Sequence, residues 1–223
     1  MKRSIFALLS AGLLSIGLLS GAAVAATQQE YAQALQQAGM LLGDEHGDLM
    51  LTSPSTRAQG LVMLLRLTGH EQEARQCTAS IPYTDVPQWV RPYVAYAHQE
   101  GLTAGISETQ FAPDMEMSFD MYLAFLLRSL GYTESAGDFA YTQVQQAAAQ
   151  LGLIHETDDV SGYQKQFLRS ALAEYSFRTL FLSMKGSPSL SLAEQMAADG
   201  RLDVDTAIQN DLFAAWYNKV LAD

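Results

Sequence analysis

The chain has 223 residues, with 13 Lys and Arg against 24 Asp and Glu, a formal net charge of −11. That balance offers no basic face, which argues against nucleic acid as a partner. Cys77 is the one cysteine, so an intrachain disulfide is excluded, and the thiol is read as lying in or near a linker.

Residues 1–25 open with Lys2 and Arg3, continue with an apolar run over 5–19 and end Ala23-Val24-Ala25. This is the pattern of a secretory signal peptide cleaved between Ala25 and Ala26. The run is short for a membrane span, no cysteine follows it to carry a lipid, and nothing later is apolar for long enough to cross a bilayer. An exported chain without membrane contact after cleavage is expected.

A first helix is predicted over 31–42, with Ala34, Leu35, Ala38, Leu41 and Leu42 on one side. The loop 43–55 holds the cluster Asp44-Glu45-His46-Gly47-Asp48. It is rich in oxygen donors but lacks the alternating spacing of a calcium loop, and it reads as a solvated acidic loop. A second helix is predicted over 57–68, stopped by Gly69, and 71–80 reads as a linker.

Residues 81–132 read as one self-contained unit of helix, Gly-rich loop, helix. Asp85 is a candidate N-cap. Pro92 is costly in a helix interior, which predicts a short turn at 87–89 and a main helix starting near Arg91. Trp89, Tyr93 and Ala97 with Val90 and Val94 form a stripe, so the two rings are expected in the core, with stacking on a sugar face as the alternative. Gly101 stops this helix, and 103–117 lacks periodicity and reads as a loop, its Gly105 permitting a turn or a close backbone approach. Ser118 caps a helix whose apolar face is Tyr122, Phe125, Leu126 and Leu130, ended by Gly131.

After a linker at 134–138, residues 139–153 and the helix within 168–180 form a third pair. In the second helices Arg57 stands nine positions before Arg66, Phe119 nine before Arg128 and Arg169 nine before Arg178. The shared frame argues for three repeats, at 26–80, 81–138 and 139–186, followed by a helical extension at 187–223 with helices over 190–198 and 205–221. No catalytic constellation is present. His46, His70, His98 and His155 are scattered, and there is neither a Gly-x-Ser-x-Gly elbow nor a phosphate-binding glycine loop. No enzyme activity, cofactor or metal site is expected.

The string DVPQWVRPYVAYAHQEGLTAGISETQFAPD, followed by a helix ending LLRSLGY, resembles an S-layer homology repeat in order and spacing. The tail KGSPSLSLAEQMAADGRLD resembles the segment that follows the third repeat in some relatives. The resemblance implies an all-α fold, a pseudo-threefold spindle of three repeats with a C-terminal helical cap. It implies a chain exported to the bacterial cell wall or surface. There it would bind a secondary cell-wall polymer, an anionic and typically pyruvylated polysaccharide, in grooves between repeats. Peptidoglycan is the alternative target.

In the family an Arg at the head of the second helix, within a Thr-Arg-Ala-Glu motif, contacts the anion. Thr56-Arg57-Ala58-Gln59 matches with Gln for the acid, Arg169-Ser170 matches in part behind Leu168, and Ser118-Phe119-Asp120 has no Arg. The implied ligand-binding residues are Arg57, Arg169, Thr56 and Ser170, with Asp85, Trp89 and Gly105 from the central unit. An Arg fork suits a carboxylate two-pronged, and helix amides behind it would add to the attraction. Both side chains are expected off the apolar stripes, whereas Arg66, Arg128 and Arg178 are expected in structural ion pairs. A scaffold domain that keeps the fold without the sugar site is the competing reading.

Overall fold

The computed structural model describes residues 27–203 together with Asp205 and Ala207. The expected signal peptide with its Ala25–Ala26 junction, and nearly all of the helix predicted over 205–221, lie outside the described residues. The described residues are mostly helical. The helices are α1 Gln28–Gln37, α2 Arg57–Leu67, α3 Glu71–Arg75, α4 Arg91–Gln99, α5 Phe119–Ser129, α6 Val144–Gln150, α7 Val160–Lys165, α8 Arg169–Leu180 and α9 Leu192–Ala198. One short antiparallel hairpin, β1 Ser183–Met184 and β2 Ser187–Ser191, separates α8 from α9.

Local chemistry sets most of these boundaries. Thr27 and Glu30 form a capping box that starts α1 three residues before the predicted position, and Gly39 at φ +71° follows its end, short of the predicted Leu42. Gly69, Gly101 and Gly131 all take positive φ where a helix stop was predicted. The main helix of the central unit does begin at Arg91, with Val90 at the N-cap and Pro92 in the first turn. Three short elements escaped the periodicity. The expected 71–80 linker contains α3, α7 is an added turn of helix in the third loop, and the hairpin straddles the start of the extension, with β1 before it and β2 within it. Helices of five or six residues are too short to show a stripe.

The pairing of helices departs from a self-contained unit. α1 packs on α8, α4 on α2 and α6 on α5, so each first helix lies on the second helix of the preceding pair, and the first pair closes onto the last. α2, α5 and α8 touch one another pairwise at the centre. Their inner residues, including Leu61, Leu64, Phe125, Leu126, Leu172 and Tyr175, are all but inaccessible to solvent.

The loops also interlock. Arg57 and Ala58 donate their amides to the carbonyls of Met115 (2.7 Å) and Pro113 (3.0 Å), and Met117 N donates to Ser55 O (2.8 Å). Arg169 and Ser170 repeat the pattern with Ser53 and Leu51, both at 3.0 Å. At the other end of the central helices, Lys185 N caps Leu130 O (2.9 Å) at the end of α5, and Arg201 Nη1 caps Thr68 O (2.7 Å) at the end of α2. Among the described residues no helix is long and apolar enough to cross a membrane.

Candidate ligand-binding cleft

Thr56 starts α2 by a capping box: its hydroxyl accepts from Gln59 N, and the Gln59 side chain accepts from Thr56 N (2.9 Å). Gln therefore serves where the motif has Glu. The box and the two loop carbonyls occupy the first amides of the helix, so no free amide row remains for an anion. The expectation of helix amides backing the arginines is overturned at α2, and at α8 the neighbouring loop takes the first two of these donors.

Arg57, expected off the apolar stripe of its helix, is buried with it, at 5% exposed. Its Nη2 donates to Ala104 O (2.6 Å), with Thr103 Oγ1 at 3.4 Å, and the guanidinium lies over the faces of Phe111 (4.8 Å) and Phe125 (5.1 Å). Its Nε is buried without a hydrogen bond. Burial, and then the Arg128 guanidinium, push it down to about 10, so it stays a cation at neutral pH.

The arginines divide by partner. Arg66 pairs with Glu71, Arg75 with the same Glu71, Arg128 with Glu134, Arg178 with Asp158 and Glu174, and Arg201 with Asp199. The ion pairs expected of Arg66, Arg128 and Arg178 are present. Arg57, Arg91 and Arg169 have no carboxylate among the described residues. A buried cation without a counter-charge is costly, and it is the kind of group that an incoming anion would compensate.

Arg57 opens onto a cleft of ≈ 380 Å³ between α2, the 103–106 loop and α5. Ala104, Gly105 and Ile106 line it from the loop, Met121, Ala124 and Arg128 from α5, and Glu134 and Tyr141 from the segment that follows. Ile106 and Tyr141 are large and exposed, at 46% and 43%. The cleft thus joins a fixed cation to apolar walls, with a second cation already neutralised by Glu134, whose carboxyl Arg128 holds low against its burial.

Gly105 belongs to this cleft. A Cβ there would stand 2.5 Å from the Tyr83 ring and 2.4 Å from Ser107 O, so the close approach, and not the turn alone, requires Gly.

The remaining implied residues lie elsewhere. Asp85 does not cap α4. It accepts from Phe111 N (2.9 Å) and Ala112 N (2.7 Å), clamping the 103–117 loop where Ala112 takes φ +60°. Those amides hold its carboxyl low despite burial. Trp89, expected in the core, is 59% exposed and does not line the cleft, because the short turn before α4 points it outward. Tyr93 is partly buried against the core and accepts from Arg75 Nε (2.9 Å).

Arg169 resembles Arg57 in being held by neutral oxygens: Nε to Leu49 O (2.9 Å), Nη2 to Leu42 O (3.1 Å) and Nη1 to Ser55 Oγ (3.5 Å). Burial lowers it as well. Ser170 contributes its amide to the loop contact. At the third equivalent position Phe119 is 1% exposed, its ring packed on Tyr163 (5.4 Å), Phe167 (5.4 Å) and Tyr175 (4.9 Å). The space that Arg57 uses beside the next loop is filled there by aromatic rings.

Residue reading missed Ala104, Ile106, Glu134 and Tyr141, since each joins Arg57 only through folding. The nine-residue frame linking Phe119 to Arg128 was the one available signal for Arg128.

Residues 82–119 match the S-layer homology domain family. That stretch contains Asp85, Trp89, Gly105 and Phe119, whereas Arg57 and Arg169 lie outside it. The chain is similar to a "Cell surface protein" of Thermoanaerobacter kivui, 32% identical over 105 residues that make up 46% of this chain and 13% of the relative. It is also similar to a "Surface layer protein" of Brevibacillus choshinensis, 27% identical over 112 residues, 49% of this chain and 10% of the relative. A "Middle cell wall protein" of Brevibacillus brevis aligns at the same identity over 112 residues, 11% of its length. The aligned region is thus a small part of each of these relatives.

Proposed function

We propose, taking residues 82–119 as an S-layer homology segment, that the chain is a non-catalytic cell-wall-binding protein. On this reading it holds an anionic wall polysaccharide in the Arg57 cleft. The observation that carries this is a buried guanidinium, held by neutral oxygens and ring faces and without a carboxylate, at the wall of an open cleft. A carboxylate entering there would meet the Arg fork in a site already stripped of much water, where a charge-assisted pair is strong. Ile106, Met121 and Tyr141 would cover the apolar part of the sugar substituent. A pyruvyl ketal, with a carboxylate and a methyl on one carbon, has that combination.

Three repeats, at 26–80, 81–138 and 139–186, would form the pseudo-threefold ring. The offset helix packing and the repeated loop contacts at Arg57 and Arg169 support that arrangement. Arg169 would serve a second groove, and Phe119 closes the third. Residues 187–223 would cap the ring's far end. The names of the relatives agree with residence at the cell surface after export.

The test is sedimentation of the chain with purified wall polymer, before and after removal of its pyruvyl groups. Co-pelleting that is lost with the pyruvyl groups is expected. Absence of pelleting with the native polymer would overturn the reading. It would leave a scaffold domain, which the aromatic filling at Phe119 favours. Pelleting with purified peptidoglycan alone would move the target to that polymer.

A further inference from the structure

His70 sits where three elements meet: the end of α2, the start of α3 and the turn after α9. Its Nδ1 is 3.1 Å from Thr68 Oγ1 and its Nε2 is 3.1 Å from Arg201 Nη1. The roles are fixed by the neighbours. Thr68 Oγ1 spends its own proton on Leu64 O (3.0 Å), so it accepts from Nδ1–H. An arginine can only donate, so Nε2 must be the bare nitrogen that receives Arg201. The same Nη1 donates to Thr68 O, at the carbonyl end of α2 where a cation is favoured. Gly69, at φ +72°, lets the Arg201 stem lie against the chain; a Cβ there would stand 2.8 Å from Arg201 Cβ.

We propose that His70 is an acid-sensitive latch: a proton on Nε2 expels Arg201 and releases the C-terminal extension from the end of α2. A protonated ring has no acceptor left for Arg201, and two cations would face each other at hydrogen-bond distance. The charges that act on the ring come from α3, the end of α4 and the turn after α9. Glu73 on α3, Glu100 after α4 and Asp199 after α9 favour the proton, and Tyr96 on α4 lies against the ring at 5.6 Å. Burial, and then Arg201, outweigh the acids and hold the imidazole below its ordinary value.

His70 ionises more readily in the unfolded chain than in the latch. The latch therefore contributes fully above the ordinary histidine value and is lost as the pH falls through and below it. Once Arg201 leaves, α9 keeps its packing through Leu192, Ala193 and Met196 but loses the Arg201 bond to the end of α2.

The experiment follows the His70 ring by NMR during an acid titration of the full chain. Amide exchange of residues 192–202 and of α5 is measured over the same range and corrected for the intrinsic rate. The expected result is a ring that titrates below the ordinary histidine range. Exchange over 192–202 becomes several-fold faster as the ring protonates, while α5 stays protected. Arg201→Met, which keeps the stem and removes the charge, should raise the ring's midpoint toward the ordinary value. An ordinary midpoint in the unaltered chain, exchange that does not change across it, or a midpoint that Arg201→Met leaves in place would overturn the latch.

Discussion

Replacing Arg57 with Lys keeps the charge but removes the planar fork that spans Ala104 O and the cleft. Affinity for a pyruvylated disaccharide should fall by roughly 2 kcal/mol or more, measured by titration calorimetry, and unchanged affinity would remove Arg57 from the site. Because the side chain is buried between Phe111 and Phe125, Arg57→Ala should also lower stability by about 1–3 kcal/mol in urea unfolding.

At the matching position, Phe119→Arg would drive a charge into rings that already fill the space. A loss of about 3–5 kcal/mol is expected, without a gained binding site. Near-normal stability together with a new binding stoichiometry would show that the third groove opens. Trp89 points the other way. With the ring 59% exposed, Trp89→Ala should cost less than about 1 kcal/mol. A cost near 3–5 kcal/mol would put the ring back in the core.

Among the elements, the 103–117 loop carries the cleft wall, and its shape depends on Asp85. Two amides converge on that carboxylate, and Ala112 sits in a left-handed conformation that a Cβ disfavours. Asp85→Ala should speed amide exchange across 103–117 and weaken ligand binding while α5 stays protected. A loop that exchanges as before would show that Asp85 is not its clamp. Much of this element was legible in the sequence. The absence of periodicity marked the loop, Ser118 marked the start of α5, and Gly101 and Gly131 marked the helix ends. The role of Asp85 was not legible, because an Asp before a Pro-containing turn looks like a helix cap, and its true partners lie 26 and 27 residues away.

At the scale of the molecule, a largely buried network joins α1 to α8. Gln28 on α1 donates to Glu174 on α8 (2.9 Å), Glu174 pairs with Arg178, and Arg178 grips Asp158 at 2.6 and 2.9 Å. Asp158 also accepts from Tyr175 (2.7 Å). Burial alone would raise the Asp158 carboxyl. The Arg178 fork, the His155 amide and the Tyr175 hydroxyl outweigh it and hold the group at about 2. The folded value lies below the ordinary 3.8, so the contribution, roughly 2 kcal/mol, is complete above that value. It is lost as the pH falls from there toward about 2. Asp158→Asn should flatten this part of the stability profile in urea unfolding across the acid range, and an unaltered acid slope would place the sensitivity elsewhere.

The sequence by itself determined the helical class, the positions of the main helices, the nine-residue frame of their second members, and the stretch at 81–132 that resembles a known repeat. These follow from properties local to the chain: apolar period, caps, and glycines where the backbone turns left-handed. Only the tertiary structure decided which helices pair. An amphipathic stripe records that a face is buried but not against what, so α4 read as the partner of α5 when it lies on α2 and α3. The same step decided the site. It buried Arg57 against a loop some 47 residues distant, spent helix amides on loop carbonyls, turned Trp89 outward and packed Phe119 among aromatic rings. Burial and charge compensation are sums over neighbours, and the neighbours of these residues come from helices and loops distant in the chain.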